Sequence, residues 1–362
     1  MPQNVDVVII GGGIIGCSIA YYAAKAGLSV VLVESSQIAQ GTTCAAGGML
    51  GAHSEYLNDQ FYSFARESQV LYEEFWRESG IDIAYTTGGI VQFAQSNEER
   101  KALSRWHDAA YLSPEQIQER MPSVSPPAFG GYLFQEDVHV HPEKTTRAFC
   151  QSAEQLGATI LRNSQVDEIE TIRGGYRVLD WNAKHVVIAG GVTSGMLIPG
   201  LQMTAVKGQC MQLDGMGMRL PYTLFHQGCY IVPRTDGTLV VGATMEPGVM
   251  DLDTTIAGHF ALNDIAERFI SGLSGFPVLK RWAGLRPKTV DDLPYIGRVP
   301  GKENMYVAAG HFRNGILLAP ATACLIRDLM IGIEVDTERL ETFDPKRGIF
   351  HGTRYRVERQ SV

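Results

Sequence analysis

The chain opens on an unbroken apolar run rich in β-branched residues, VDVVII at residues 5–10, the pattern of a strand buried on both faces of a parallel sheet. Glycines follow at 11, 13 and 16. A small, apolar stretch at residues 17–26 then reads as a helix packed close to that strand, with Gly27 as its C-cap. LSVVLV at 28–33 makes a second strand, and Glu34 stands at its end. Toward the other terminus Met305–Ala309 (MYVAA) reads as a buried strand. Gly310 and a turn lead into an amphipathic helix from Gly315 to near Gly332, in which Pro320 is a tolerated position in the first turns. Between these ends, a short strand at 186–189 stops at Gly190 and Gly191. Strands at 209–213, Cys229–Pro233 and Thr238–Gly242 alternate with turns such as Asp236-Gly237.

Strand, glycines, helix, strand and acid, in that order, are what a dinucleotide fold requires. Glycines let the backbone approach a pyrophosphate, and the helix start offers free N–H groups and a positive dipole end. A carboxylate 23 residues after Gly11 can accept from the adenosine ribose hydroxyls. A glycine turn alone would be only a turn; the five parts in register carry the inference. The charge of Glu34 would repel a 2′-phosphate, which excludes NADP and leaves NAD or FAD. No second G-x-G-x-x-G appears, so one dinucleotide is expected. Residues 35–51, SSQIAQGTTCAAGGMLG, do not continue the β-α-β rhythm. They read either as a surface loop or, favoured here, as small residues lying flat along a flavin. The helix start near Gly315 could then face the flavin pyrimidine ring, where reduction places negative charge.

Composition narrows the classes further. At 362 residues, 45% hydrophobic and 19% charged, the chain can bury its surface and calls for two domains or one large α/β domain with an elaboration. A net charge of −8 without a basic run argues against nucleic acid. No segment approaches the roughly 20 apolar residues that cross a bilayer, and no signal peptide is expected. Six cysteines without a C-x-x-C pair suggest neither a zinc site nor a disulfide framework, and a cytoplasmic protein is expected. His139 and His141 share a strand face but have no third ligand nearby, so no metal site is expected.

VVIIGGGIIG, GTTCAAGGMLGAH, QEDVHVHPEK, AVKGQC, CYIVPR, LVVGATM, RWAGLRP, PYIGR and AAGHFRNGILLAPAT together resemble the bacterial glycine oxidase family, within the D-amino acid oxidase and sarcosine oxidase superfamily of FAD enzymes. The resemblance spans nearly the whole chain. It implies an α/β fold: a Rossmann-like FAD-binding domain from residues 1–79, 143–205 and 284–352, and a mixed-sheet α+β substrate domain from 80–142 and 206–283. Residues 353–362 read as a solvated tail. The expected cofactor contacts are Gly11, Gly13, Ile14, Ile15 and Gly16 at the pyrophosphate, and Glu34, Ser35 and Val166 toward the adenosine. Thr42, Thr43, Gly47, Gly48, Met49 and Gly190 are expected beside the flavin. From the C-terminal motif come His311, Phe312, Arg313, Asn314, Gly315, Ile316 and Leu317.

Oxidising an amino acid at a flavin moves a hydride from Cα to N5, with Cα held about 3 to 3.5 Å from the ring. No protein base is strictly required, and none is assigned. The site must supply a cation for the carboxylate, and Arg286, in apolar surroundings, is the best candidate because a guanidinium grips a carboxylate in two-pronged fashion. Tyr230 could reach the same carboxylate. The resemblance adds Arg313 at the entrance, with Met49 and Met245 lining the pocket. Where family members can carry a histidine two residues before the strand tyrosine, this chain has Gly228. No cysteine lies between Arg286 and Arg313, so the flavin is expected to be non-covalent. The leading expectation is an oxidase of glycine, sarcosine or D-alanine that uses O₂, serves thiamine thiazole synthesis and assembles as a homotetramer. The rivals are a D-amino acid dehydrogenase passing electrons to a quinone or carrier protein, and a non-catalytic NAD-binding protein.

Overall fold

A computed structural model describes residues 3–349. The apolar run at the N-terminus is the Gln3–Ile10 strand, whose last four residues are buried on both faces. It lies at the centre of an eight-stranded sheet ordered Tyr295–Arg298, Met305–Ala309, Trp181–Ile188, Gln3–Ile10, Val30–Val33 and Thr159–Leu161. All neighbours pair in parallel except Tyr295–Arg298 at one edge. The Gly175–Val178 and Glu170–Ile172 strands extend it antiparallel beside Trp181–Ile188. The sequence pattern picked out only the apolar end of Trp181–Ile188, because its first residues, WNAK, mix polar with apolar and only Ala183 among them is buried.

The Ile14–Lys25 helix packs on this sheet so closely that a Cβ at Gly16 would fall 1.8 Å from the Gly11 carbonyl oxygen. Only glycine fits there. Two further helices, Asp59–Ser79 and Gly315–Ile331, complete the layer with Pro142–Gln155. Asn58 caps the long one, accepting the Phe61 N–H at 2.8 Å. Pro320 lies inside Gly315–Ile331 and cannot donate to the carbonyl four residues back. That carbonyl, of Ile316, instead accepts the hydroxyl of fully buried Tyr72 from the long helix, so tertiary packing makes the proline tolerable.

A second, nine-stranded sheet draws its strands from residues 90–134 and 204–288. Its longest strands, Thr204–Asp214 and Val278–Lys288, pair antiparallel with Val206 opposite Arg286 and Gly208 opposite Gly284. Val278–Lys288 runs unbroken through residue 284, where the sequence reading placed a domain boundary. A small separate ribbon forms as well, Met49–Leu50 pairing antiparallel with Val138–His139. Residues 35–51 are not extended throughout, since Gly41–Cys44 forms a single helical turn. The tail at 353–362 lies outside the described residues. Among those described, no helix is long and apolar enough to cross a membrane.

Candidate active site

One cavity of about 760 Å³ runs from the glycine turn to the strand that bears Arg286. At the turn, Gly11 has φ +117°, and a Cβ there would lie 2.4 Å from the Ala189 carbonyl oxygen. The Ile14–Lys25 helix begins at Gly13 without a side-chain cap on that residue. The Thr43 hydroxyl accepts the Ile14 N–H at 3.1 Å, which fixes the 41–44 turn over the helix start. Glu34 is drawn inward: one carboxylate oxygen accepts the Gly12 N–H at 2.6 Å, the other the Ser36 N–H and hydroxyl at 2.8 and 3.0 Å. A carboxylate has about four acceptor positions, so its first oxygen can still receive a ribose hydroxyl. The segment bearing Val166 is hung on this acid, with Ser164 N–H donating to the Glu34 carbonyl at 2.9 Å.

At the far end, the flavin-edge candidates are stitched to the Arg286 strand. The Thr42 hydroxyl donates to the Leu285 carbonyl at 2.6 Å, and the Trp282 indole N–H donates to the Ala45 carbonyl at 3.2 Å. The C-terminal motif joins the same strand, for Phe312 N–H donates to the Pro287 carbonyl at 2.9 Å. Arg286 and Arg313, distant in sequence, thereby line one cavity. Among the described residues the Arg286 side chain bonds only to the Thr244 carbonyl, at 3.2 Å. Gly208 gives it room; a Cβ there would sit 2.0 Å from the Arg286 Nη1. Arg313 is different, because its Nη2 pairs with Glu55 at 2.6 Å.

Tyr230 is buried between two glycines. A Cβ at Gly242 or Gly47 would come within 2.4 or 2.8 Å of its ring. Burial pushes its phenol well above the usual range, so it is a donor at neutral pH. Its hydroxyl lies 3.5 Å from the Cys210 sulfur. Gly228 has φ +82°, and the space in front of it is filled by the Arg313 guanidinium, 2.7 Å from where a Cβ would stand. A larger residue at 228 would have to share that place.

His311 lines the cavity, pairs with Thr322 at 3.1 Å and is pulled down to about 3 by burial, so it stays neutral. It is no proton reservoir. The Gly315–Ile331 helix starts at Asn314 without a side-chain cap, and the Asn314 Oδ1 and Ser194 Oγ are buried with no partner among the described residues. Both residues line the cavity. Free first-turn N–H groups, orphaned polar atoms and a glycine cradle fit a long ligand that is polar at both ends.

Of the expected contacts, Gly16 and Leu317 alone do not line the cavity. Gly16 serves helix-on-strand packing, and the Leu317 side chain turns into the core. Glu55, Thr244 and Gly208 line it without having been singled out. Gly208, inside AVKGQC, and Thr244, inside LVVGATM, lay in motifs quoted from the sequence; Glu55 did not. His139 and His141 do not form a site: the first is buried against Thr223 and the second accepts the Lys144 N–H as a helix cap. Among the described residues no three metal-ligating side chains cluster.

A family profile described as FAD dependent oxidoreductase matches residues 6–329. The chain belongs to that family. The family's cofactor, FAD, suits the cradle just described. The chain is 40% identical to the glycine oxidase of Bacillus licheniformis, over 96% of this chain and 98% of that protein. It is 30% identical to the bifunctional protein ThiO/ThiG of Trichormus variabilis, spanning 98% of this chain but 55% of that longer one. Among solved structures, glycine oxidase from Geobacillus kaustophilus superposes with a TM-score of 0.88 at 31% identity, covering 96% of this chain and 100% of the other. This FAD-dependent oxidoreductase therefore shares both the fold and much of the sequence of those enzymes.

Proposed function

We propose that this FAD-dependent oxidoreductase oxidises glycine and other small amines such as sarcosine and D-alanine, yielding glyoxylate or the corresponding 2-oxo acid, ammonia or an amine, and hydrogen peroxide. The observation that carries the reading is the Arg286 guanidinium, which faces the cavity that begins at the glycine turn and which, among the described residues, no carboxylate neutralises. When bound, FAD accepts the hydride from the amino acid and passes the electrons to O₂. The protein's part is to bind and orient. Arg286 grips the substrate carboxylate with two N–H donors, and the Tyr230 hydroxyl adds a third. Met49 and Met245 bound the space left for the side chain, which keeps the substrate small. His311 is neutral and Glu55 is occupied by Arg313, so neither is assigned as a base.

In this reading the cofactor is held by the first sheet and its helices and the substrate by the second. None of the six cysteines lines the cavity, which supports non-covalent FAD. The likeness to bifunctional ThiO/ThiG proteins supports a role in supplying the glycine-derived imine for the thiamine thiazole. We also place the protein in the cytoplasm as a homotetramer; apolar residues left exposed, such as Ile256 and Phe260, offer surface for assembly.

The test is direct. Purified protein mixed without oxygen with glycine, sarcosine or D-alanine should pass from yellow to pale, and should produce peroxide when oxygen is admitted. No peroxide with any of the three would overturn the proposal.

A further inference from the structure

Arg234 directly follows the Cys229–Pro233 strand that carries Tyr230 but does not line the cavity. Its Nη2 donates to the Gly47 carbonyl at 2.8 Å and its Nη1 to the Val140 carbonyl at 3.1 Å. Both partners are neutral. Asp236, two residues on, accepts the Thr238 N–H and hydroxyl and acts on the guanidinium only through space, without a hydrogen bond to it. His139 and His141 face the same guanidinium, and burial together with that charge lowers both, so they add no charge at neutral pH. Burial pulls Arg234 itself down to about 10, which leaves it protonated in neutral solution. A partly buried cation bonded only to carbonyls is costly unless something nearby gains from it.

The peptide it grips points to what gains. In a trans peptide the carbonyl and the following N–H point in opposite directions. Gly47 and Gly48 line the cavity and Arg234 lies outside it, so fixing the Gly47 carbonyl outward turns the Gly48 N–H inward. Among the described residues that N–H has no protein partner. Gly48 is held from its other side too, its carbonyl accepting the Val140 N–H at 2.9 Å. With φ +87° and the Val140 oxygen 2.0 Å from any Cβ, the position takes only glycine. Arg234 thus clamps both segments, 47–48 and 140, that form this wall.

We propose that Arg234 is a positioning residue for the ring end of the cofactor: it aims the Gly48 amide into the cavity and sets behind it a positive charge that makes no ion pair among the described residues, favouring electron-rich, anionic forms of the ring. The inference rests on the reading of this cavity as the FAD site. A fixed cation and an oriented N–H close to a developing anion act together in such a low-dielectric wall.

Sulfite is a suitable probe, because it adds its own electron pair reversibly to an oxidised flavin, consumes no other reactant and makes the ring anionic. The experiment compares sulfite dissociation constants of FAD-loaded wild type, Arg234→Gln and Arg234→Lys by bleaching of the visible band, with circular dichroism and melting temperature recorded alongside. Arg234→Gln is expected to bind sulfite at least tenfold more weakly, and its two-electron midpoint potential to fall correspondingly by about 30 mV. Arg234→Lys, which keeps the charge, should stay within threefold of wild type. Sulfite affinity within twofold of wild type in Arg234→Gln, whatever its melting temperature, overturns the proposal, as does a lysine variant as weak as the glutamine one. If Arg234→Gln does not fold, Arg234→Lys alone decides by the same threefold limit. Wild-type protein that binds no FAD would instead defeat the underlying reading of the cavity.

Discussion

At the glycine-turn end, the residues that shape the cavity come mainly from one stretch, 10–43, and the contacts within it are short in sequence: Gly12 to Glu34, Ile14 to Thr43, Gly16 against Gly11. At the arginine end, four separate segments meet, and single bonds span Arg313 to Glu55, 258 residues apart, and Arg234 to Gly47, 187 apart. The first end is a local motif that the backbone dictates almost alone. The second exists only after both sheets have formed. The ends should therefore fail differently when altered, the first by losing the cofactor and the second by losing affinity for the substrate.

The largest effect is expected at the local end. Gly16→Ala forces a methyl group against the Gly11 carbonyl, where only backbone could give way. Overpacking of this kind costs about 1–3 kcal/mol or more. The variant should purify without its visible flavin bands; a fully yellow Gly16→Ala protein would show that the turn does not depend on this approach. A smaller effect is expected at the arginine end. Glu55→Ala, Arg313→Ala and the double variant form a cycle whose coupling should be about 1 kcal/mol in urea unfolding, since the pair is only partly exposed. Additive effects would mean that the pair does not hold the entrance together.

Near neutral pH the smallest effects, opposite in sign at two histidines, are those of pH, and they grow only as the solution moves away from neutrality. His311 is lowered to about 3 by burial, so the folded state resists its protonation and stability falls as pH drops below about 6.5, by up to about 1.4 kcal/mol per pH unit. At His53, burial works against the charge, but the Asp137 and Asp108 carboxylates outweigh it and raise the group. Its contribution is complete below about 6.5 and is lost as pH rises through the raised folded value. Melting curves should show a flatter acid limb in His311→Gln and a flatter alkaline limb in His53→Gln. Unchanged limbs in both would remove this contrast.

The same division explains what the sequence made readable. The turn at residues 11–16, the Glu34 terminus, the Met305–Ala309 strand and the Gly315–Ile331 helix announce themselves by spacing, glycine and apolar run length. Arg286 could be singled out because the chemistry calls for a cation and this one follows the apolar stretch from Trp282 to Leu285. Glu55 could not, for nothing near it in the chain marks it as the partner of Arg313. Pro320 looked merely tolerable, and its actual support, the Tyr72 hydroxyl on the Ile316 carbonyl, comes from a helix 244 residues away in sequence. Gly16 and Leu317 belonged to the right motifs, but their side of the backbone faces packing and not the cavity.

The central claim is that Arg286 anchors the substrate carboxylate in a cavity whose cofactor is held elsewhere. It is tested most directly by steady-state peroxide production from glycine with Arg286→Ala, measured together with flavin content. The account predicts an unchanged flavin-to-protein ratio and a KM for glycine raised roughly 10- to 150-fold, the worth of a charge-assisted pair of about 1.5 to 3 kcal/mol. An unaltered KM, or a protein that has lost its FAD, would contradict it.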